Sequence, residues 1–381
     1  GLGDVYKRQG SEMCIRDRIT SASQTQLEAT LKRAVDLGFH HVETARHYGS
    51  SERQLGWALP RTPDPSRLLQ SKVPPRPDPD AFEAELELSF ERLGCDRLDL
   101  LAIHGINLPE HLEQTLQPGG CMEVVRCRQA EGRIGHVGFS THGPTSLIAE
   151  ACDSGAFDYV NLHWYYIRQD NGPALDAARR QDMGVFIISP TDKGGHLHTP
   201  SQRLLERCAP LHPIVVNDLF CLQDPRVHTI SVGAARPEDL ELHLEALHLL
   251  PDAASLIAPV DQRLRQAADE ALGRDWMATW SVGLPPWNAT PGKINLPVLL
   301  WLYNLLEAWD LDSYAKARYG LLGSGGHWFA GANADGFDGE VSAEELQSVL
   351  QESPWRERIP EILRSLKQRL KGESQMRLSS V

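Results

Sequence analysis

The chain has 381 residues, of which 41% are hydrophobic, and its formal net charge is −13 at pH 7. A chain of this length can bury a full-sized core, and one large domain followed by a smaller one is the expected organisation. Lysines and arginines are scattered, and the negative balance excludes a nucleic-acid binder that follows phosphates with a basic face. The most apolar run, 294–309, is interrupted by polar residues and is shorter than the ~20 residues of a membrane span, so no membrane segment is predicted.

The seven cysteines are widely spaced and form no C-x-x-C pair. An odd, dispersed set in a chain of this size predicts reduced thiols and a cytoplasmic protein rather than a disulfide framework. Residues 1–18 have neither a helical nor a strand period and lack the apolar stretch of a signal peptide. They resemble translated adapter sequence, and we expect them to be a non-native or disordered leader.

From residue 21 onward, helical and strand patterns alternate. A helix at 21–37 ends at Gly38, and further helices are predicted at 50–59, 82–93, 109–130, 173–181, 201–208 and 237–248. Seven strands are predicted, at 39–42, 67–73, 98–104, 134–140, 159–163, 185–189 and 227–232, and 213–216 would be an eighth. Strict βα order with polar strand ends is typical of a (β/α)₈ TIM barrel, whose chemistry lies on the βα loops. The rival, an open doubly wound sheet, would normally have a G-x-G-x-x-G fingerprint after a strand, and none follows any strand here.

Polar side chains stand at the ends of three predicted strands. Glu43 ends the first and is followed by Tyr48, Lys72 lies near the end of the second, and His104 ends the third. Barrel strands present their carboxyl ends to one face, so these groups can converge. A neighbouring ammonium favours the phenolate form of a tyrosine, a carboxylate holds that ammonium, and a histidine can orient a carbonyl oxygen. The set predicts a proton donor for a carbonyl that receives a hydride.

The same residues resemble the aldo/keto reductase family. Its members read roughly G-F-x-x-I-D-T-A-x-x-Y-G-x-E after the first helix, then a strand-end lysine and a strand-end histidine, which corresponds here to 38–52, Lys72 and His104. The resemblance covers about 21–250. It implies hydride transfer between NADP(H) and a carbonyl or alcohol, with Tyr48 as the proton donor assisted by Lys72, Glu43 and His104.

The resemblance also implies a cofactor site. Thr141 stands where asparagine is usual, and Asn161 where a glutamine normally binds the nicotinamide amide. The segment from Ser231 to Arg236 resembles the family's phosphate and adenine segment, at a predicted helix start where anions bind readily. The implied cofactor is NADPH, with NADH as the alternative, and the implied partner is a small-molecule carbonyl substrate. The implied cofactor-binding residues are Ser140, Thr141, Asn161, Ser189, Ser231, Gly233 and Arg236.

The βα rhythm stops after about 250. We predict domains at 19–250 for the barrel and 251–371 for a smaller helical region, with a disordered tail at 372–381. The helical region resembles the ferredoxin-like domain of a family branch that carries iron–sulfur clusters. Clusters need thiolates, and no cysteine follows Cys221, so no iron–sulfur cluster is expected.

Three departures keep alternatives open. Glu43 replaces the family's aspartate, Ile188 stands where a tyrosine often stacks on nicotinamide, and the first barrel strand should precede residue 21. If residues 1–18 are foreign, that strand is absent and an open barrel edge would result. A barrel with weak or no turnover, acting as a nucleotide-binding regulatory or assembly subunit, is the alternative function. His142 and His163 also end strands, but the H-x-H of a metal-dependent hydrolase barrel is absent, so no metal site is predicted. The oligomeric state is left open.

Overall fold

The computed structural model describes residues 19–324 and 329–371. The predicted leader at 1–18 and tail at 372–381 lie outside the described residues. The chain divides into two compact units. The first comprises the residues through Gly194 together with Ile214–Ala253, and the second comprises Gly195–Pro213 together with the residues from Ala254 onward.

The first unit is built on one sheet of seven parallel strands, each hydrogen-bonded to the next in chain order. The strands are β1 His41–Glu43, β2 Leu68–Val73, β3 Leu98–His104, β4 Ile134–Ser140, β5 Tyr159–Leu162, β6 Gly184–Ile188 and β7 Thr229–Ser231. With helices between the strands, this is the predicted barrel, with seven strands in the described part of the chain. The predicted fold class is therefore confirmed.

The helices include a counterpart of each predicted helix, and two helices between the strands, Thr145–Asp153 and Pro190–Lys193, lie where no element was predicted. They are α1 Ser21–Asp36, α2 Ser51–Ala58, α3 Pro79–Leu93, α4 Pro109–Leu116, α5 Cys121–Ala130, α6 Thr145–Asp153, α7 Gly172–Arg180, α8 Pro190–Lys193, α9 Gln202–Cys208, α10 Pro213–Leu222, α11 Glu241–Leu249, α12 Ala253–Leu272, α13 Arg274–Thr279, α14 Leu296–Trp309, α15 Asp312–Leu321, α16 Ala343–Ser348 and α17 Ile359–Leu370. Within the described residues, no helix is both long enough and apolar enough to cross a membrane.

Two predicted elements are wrong in detail. The run 213–216 starts helix α10 instead of forming a strand, because a short apolar run carries no period that separates a buried strand from a buried helix. The single predicted helix at 109–130 is two helices, α4 and α5. Helix α4 ends because Gln117, which precedes Pro118, is extended at ψ 153°, and Gly119 at φ +76° continues the break.

The barrel closes in its helical layer where the sheet does not. The sheet is nearly closed but not completely so, because its two end strands, β1 and β7, have no described backbone pairing with each other. On the outside, helix α1 contacts the segment that follows β7. Gln26 Nε2 donates to the Ala235 carbonyl at 2.8 Å, and Arg33 pairs with Glu241. These contacts join α1 to the segment after β7. The exposed edge expected if the first strand is missing stays a prediction, because residues 1–18 lie outside the described residues.

Alternation along the strands separates two environments. Side chains that point outward pack with the helices in one large core, as Val42, Leu101 and Val160 do. Inward-pointing side chains form a separate small apolar cluster around Tyr159 and Leu100 and, nearer the strand ends, a polar group. The period of two therefore delivers polar residues to the barrel interior at the carboxyl ends of the strands.

Gly138 of β4 is required by the packing of the barrel interior. A Cβ there would lie 2.5 Å from the Tyr159 ring and from the Tyr159 carbonyl oxygen, and Tyr159 stacks on Phe186 at 4.9 Å. We expect Gly138→Ala to lower the free energy of unfolding by about 1–3 kcal/mol through overpacking, measured by urea denaturation. Gly172→Ala is the control, since its nearest contact would be 3.8 Å. Equal stability of Gly138→Ala and wild type would contradict this reading.

The second unit is helical, and α13 and α14 are joined through a buried tryptophan. Trp276 is fully buried and donates its ring N–H to Asn304 Oδ1 at 2.6 Å. Its ring also meets Trp355 at 5.1 Å between centroids. A buried indole with a satisfied N–H ties the two helices together. The ferredoxin-like assignment of this region stays a prediction.

Candidate active site

The loop after β1 is fixed in position by buried contacts at both of its ends. The amides of Thr44 and Arg46 extend the pairing with β2, at 2.9 Å to the Gln70 carbonyl and 2.8 Å to the Lys72 carbonyl. Arg46 forms a buried ion pair with Glu52 of helix α2. Separating a buried ion pair is strongly unfavourable. The loop that carries Tyr48 is therefore fixed at both ends, by the backbone pairing with β2 and by the Arg46–Glu52 pair.

Sequence reasoning missed the Arg46–Glu52 pair as a brace. Glu52 is almost fully buried, and its second oxygen accepts a hydrogen bond from Ser71 Oγ at 2.7 Å. The signal was present, because Glu52 ends the family pattern that begins at Gly38.

Lys72 and Glu43 form a buried ion pair at the carboxyl ends of β1 and β2. Their side chains are 2% and 5% exposed, and the Lys72 ammonium also donates to the Thr44 carbonyl at 3.2 Å. Burial alone would raise the pKa of the Glu43 carboxyl. The opposing electrostatic contributions, of which the Lys72 ammonium is the largest, together outweigh that effect and hold the pKa of Glu43 at about 2. Glu43 is therefore a carboxylate at neutral pH.

Tyr48 and His104 complete this group at the barrel mouth. The Lys72 ammonium lies 5.0 Å from the centre of the Tyr48 ring. The Tyr48 and His104 rings meet edge to face, 5.6 Å apart between centroids, and both residues are half-buried. The four residues predicted as catalytic thus lie together, with the acid and amine buried and the phenol and imidazole partly open to solvent.

Ser140 and Thr141, two of the predicted cofactor residues, lie beside His104 and brace its loop. The Gly105 amide donates to the Ser140 carbonyl at 2.9 Å and lies 3.1 Å from Ser140 Oγ. Thr141 Oγ1 donates to the Ile106 carbonyl at 2.6 Å. The Thr141 hydroxyl is fully buried and engaged within the protein.

Asn161 and Ser231 lie in the barrel interior, with their polar groups on Glu43. Ser231 Oγ donates to Glu43 Oε2 at 2.6 Å, and Asn161 Nδ2 lies 3.3 Å from the same oxygen. Gln70, which sequence reasoning missed, donates to Asn161 Oδ1 at 3.2 Å. Gln70 precedes Lys72 by two residues, so strand alternation places it on the same inward face and could have identified it.

The segment after β7 presents backbone donors around one carboxylate. Ala235 and Arg236 donate their amides to Asp239 Oδ2 at 2.8 and 3.0 Å, and the Arg236 guanidinium lies 3.5 Å from Oδ1. The Arg236 side chain is 68% exposed. Gly233 is half-buried at the start of this segment. Two converging amides and a guanidinium match the chemistry that binds an anionic phosphate oxygen.

Ser189 joins the end of β6 to the end of β7. Its amide donates to the Ser231 carbonyl at 3.0 Å. Its backbone is left-handed, at φ +45°, an uncommon conformation for a residue with a side chain. Such conformations are concentrated at functional sites, and this one lies where the predicted cofactor segments meet.

The His142 and His163 rings are hydrogen-bonded to each other. His163 also contacts the Tyr165 hydroxyl at 2.7 Å, and Tyr165 donates to the Ile188 carbonyl. Among residues 19–324 and 329–371, no group of three or more histidine, cysteine, aspartate or glutamate side chains is arranged to hold a metal ion. The two histidines thus tie the ends of β4, β5 and β6 together.

Known proteins with similar sequences are oxidoreductases. The chain is 30% identical over 205 residues to an aldo-keto reductase from Mycobacterium sp. (strain KMS), covering 50% of this chain and 72% of that protein. It is 24% identical over 278 residues to a D-threo-aldose 1-dehydrogenase from Pseudomonas sp., covering 58% of this chain and 83% of that protein.

A solved structure has the same fold. The holo form of an aldo-keto reductase from Bacillus halodurans superposes with a TM-score of 0.55 at 17% identity, covering 66% of this chain and 89% of that one. The sequence model of the aldo/keto reductase family matches residues 12–206, which span β1 to β6 and include the grouped Glu43, Tyr48, Lys72 and His104. Barrel, motif order and family match therefore agree, and the chain belongs to the aldo/keto reductase family.

Proposed function

We propose that this protein reduces a small-molecule carbonyl with NADPH, or runs the reverse alcohol oxidation. The observation that carries the proposal is the buried Glu43–Lys72 pair beside the half-buried Tyr48 and His104. Burying charged groups carries a desolvation cost, and such groups are concentrated at functional sites. Beside a partly exposed phenol and imidazole, this buried pair is suited to general acid catalysis.

Each side chain has a distinct task in this mechanism. When bound, a reduced nicotinamide supplies the hydride that adds to the carbonyl carbon. The carbonyl π pair moves to oxygen, which takes the Tyr48 proton and leaves an alcohol and a phenolate. The Lys72 ammonium, 5.0 Å from the ring centre, stabilises that phenolate, and Glu43 keeps the ammonium in place. His104 orients the carbonyl oxygen toward the phenol.

The chain has groups suited to hold the nucleotide. The Ala235 and Arg236 amides now bind the Asp239 carboxylate, and they would hold a phosphate oxygen in its place. Gly233 allows close approach of the backbone, and Ser140 and Ser189 border the site. The Arg236 guanidinium favours NADPH over NADH, because it would pair with the additional phosphate that NADH lacks. We assign the enzyme to the cytoplasm, because Cys152, Cys208 and Cys221 are free and buried.

The test is direct titration. NADPH and NADH are added to the full-length protein while protein fluorescence is followed, and a panel of aldehydes is then assayed for NADPH oxidation. Binding with turnover supports a reductase. Binding without turnover by any carbonyl, unchanged in Tyr48→Phe, would favour the regulatory subunit, and binding of neither nucleotide would remove both functions.

Arg236 gives a prediction about cofactor choice. Loss of one charge-assisted contact to a phosphate costs about 1.5–3 kcal/mol, so Arg236→Ala should weaken NADPH binding by about 10–100-fold. NADH, which lacks the extra phosphate, should change by less than about threefold. The control is Arg274→Ala, an exposed arginine 3.5 Å from Asp269 in the second unit. Equal weakening of the two nucleotides by Arg236→Ala would contradict a role in selecting NADPH.

A further inference from the structure

Glu43 is bonded to groups from three other strands. Its Oε1 accepts from Lys72 of β2, and its Oε2 accepts from Ser231 of β7 at 2.6 Å and from Asn161 of β5 at 3.3 Å. Asn161 and Ser231 are 0% and 3% exposed. A carboxylate buried this deeply is stable only when its oxygens are satisfied, so these contacts decide where the carboxylate sits.

The contact between Glu43 and Ser231 spans the gap in the sheet. Strands β1 and β7 have no described backbone pairing with each other, yet Glu43 ends β1 and Ser231 ends β7. An aspartate at position 43 would be shorter by one methylene group. The glutamate reaches Ser231 and Lys72 at once, so the longer acid matches the position of the hydroxyl across the barrel.

A second layer of donors fixes the orientation of Asn161. Gln70 Oε1 lies 2.8 Å from His41 Nε2, and its amide nitrogen donates to Asn161 Oδ1 at 3.2 Å. With Oδ1 used as the acceptor, the Asn161 amino group is the side that faces Glu43. Burial lowers the pKa of the His41 imidazole, which favours a neutral ring that donates from Nε2. The Asn161 side-chain amide therefore cannot flip without breaking the hydrogen bonds that run from His41 through Gln70 to Asn161.

We propose that Asn161 and Ser231 are positioning residues that act through Glu43, holding its carboxylate so that Lys72 stays against Tyr48. This inference rests on the proposed function and differs from the cofactor-contact role that the family resemblance implies for the two residues. Hydrogen bonds to a charged group are stronger than neutral ones, so loss of either donor loosens the carboxylate. The Lys72 ammonium then spends less time beside the phenol.

The kinetic test compares Ser231→Ala with Ser231→Thr in single-turnover hydride transfer. We expect Ser231→Ala to slow hydride transfer about tenfold, the cost of one charge-assisted hydrogen bond, and Ser231→Thr to recover part of the rate. The dissociation constant for NADPH should stay within about twofold. Ser89→Ala is the control, because Ser89 is also fully buried and its hydroxyl donates to the Glu85 carbonyl of its own helix, at 3.2 Å. Unchanged hydride transfer with at least tenfold weaker NADPH binding would make Ser231 a cofactor ligand and overturn the proposal.

The second test does not need turnover. Thermal midpoints at pH 7 are measured for wild type, Ser231→Ala, Glu43→Asp and the double variant. Because the shorter acid cannot reach both partners, we expect Ser231→Ala to lower the midpoint by about 2–5 °C in the Glu43 protein and by less than about 1 °C in Glu43→Asp. Equal shifts in both backgrounds would overturn the proposal. If the protein has no reductase activity, this cycle still decides whether Ser231 acts on Glu43.

Discussion

A Tyr48→Phe variant should lose about 10²–10⁴-fold in the rate of carbonyl reduction while it binds NADPH as tightly as the wild type. The substitution removes only the hydroxyl that delivers the proton. The ring remains, so its edge-to-face contact with His104 and its position over Lys72 are retained. Binding and chemistry should therefore separate cleanly at this residue.

The measurements for Tyr48→Phe are single-turnover hydride transfer and a fluorescence titration with NADPH. Tyr303→Phe is the matched control, since Tyr303 is a half-buried tyrosine of the second unit that packs edge to face on Trp276. Its rate should equal that of the wild type. A Tyr48→Phe protein that reduces aldehydes within about threefold of the wild-type rate would show that the proton comes from another group.

The site residues that can be predicted from the sequence are those at or just after the carboxyl ends of the strands. Tyr48, Lys72 and His104 follow from two facts visible in the sequence, namely a polar residue near each strand end and the chain order of the strands. In a parallel barrel, these facts bring the residues to one face. The fold class was predictable for the same reason, since alternating periods of 3.6 and 2 survive in a single sequence.

Contacts across the barrel could not be read from the sequence. The bond between Glu43 and Ser231 joins residues 188 positions apart, and it depends on how closely β1 and β7 approach in a sheet that is not fully paired. Neither period nor motif encodes that distance. The family pattern predicts that Asn161 and Ser231 bind the nucleotide, and this stays a prediction. Their contacts with Glu43 are what the structure adds.

Short apolar runs were the weak point of the fold prediction. The segment 213–216 is buried as a helix would be, yet its four residues fit a strand equally well. What distinguishes it is the continuation through Leu222, where Asp218 pairs with His243 inside the unit. In the sequence, an acid such as Asp218 suggests an exposed loop, because the partner that allows its burial, His243, lies 25 positions away.

Lys72→Met should have the largest effect on stability. Removing one partner of a buried ion pair leaves the other charge without compensation and typically costs about 3–5 kcal/mol. Ser231 and Asn161 still reach Glu43, but neither supplies the missing positive charge. Activity should fall with stability, because the phenolate of Tyr48 loses the ammonium that stabilises it. The free energy of unfolding is measured by urea denaturation at pH 7.

The dependence on pH identifies the cause of that loss. With Lys72 present, the pKa of Glu43 is about 2, below the value near 4.5 of an unfolded glutamate, so its stabilisation is complete above pH 4.5 and is lost as the pH falls toward 2. Without Lys72, burial raises the pKa of Glu43, and the variant takes up the proton at higher pH. The stability gap between the wild type and Lys72→Met should therefore narrow as the pH is lowered from 7 into the acid range.

Two further variants make the Lys72 result decisive. Lys32→Met removes an exposed pair with Asp36 on α1, 2.9 Å long, and should cost no more than about 0.5–1 kcal/mol. Adding Glu43→Gln to Lys72→Met removes the uncompensated charge and should restore part of the lost stability without restoring turnover. A Lys72→Met protein as stable as Lys32→Met, with a gap that does not change with pH, would mean that Glu43 and Lys72 are not coupled. The buried pair would then lose its place at the centre of the site.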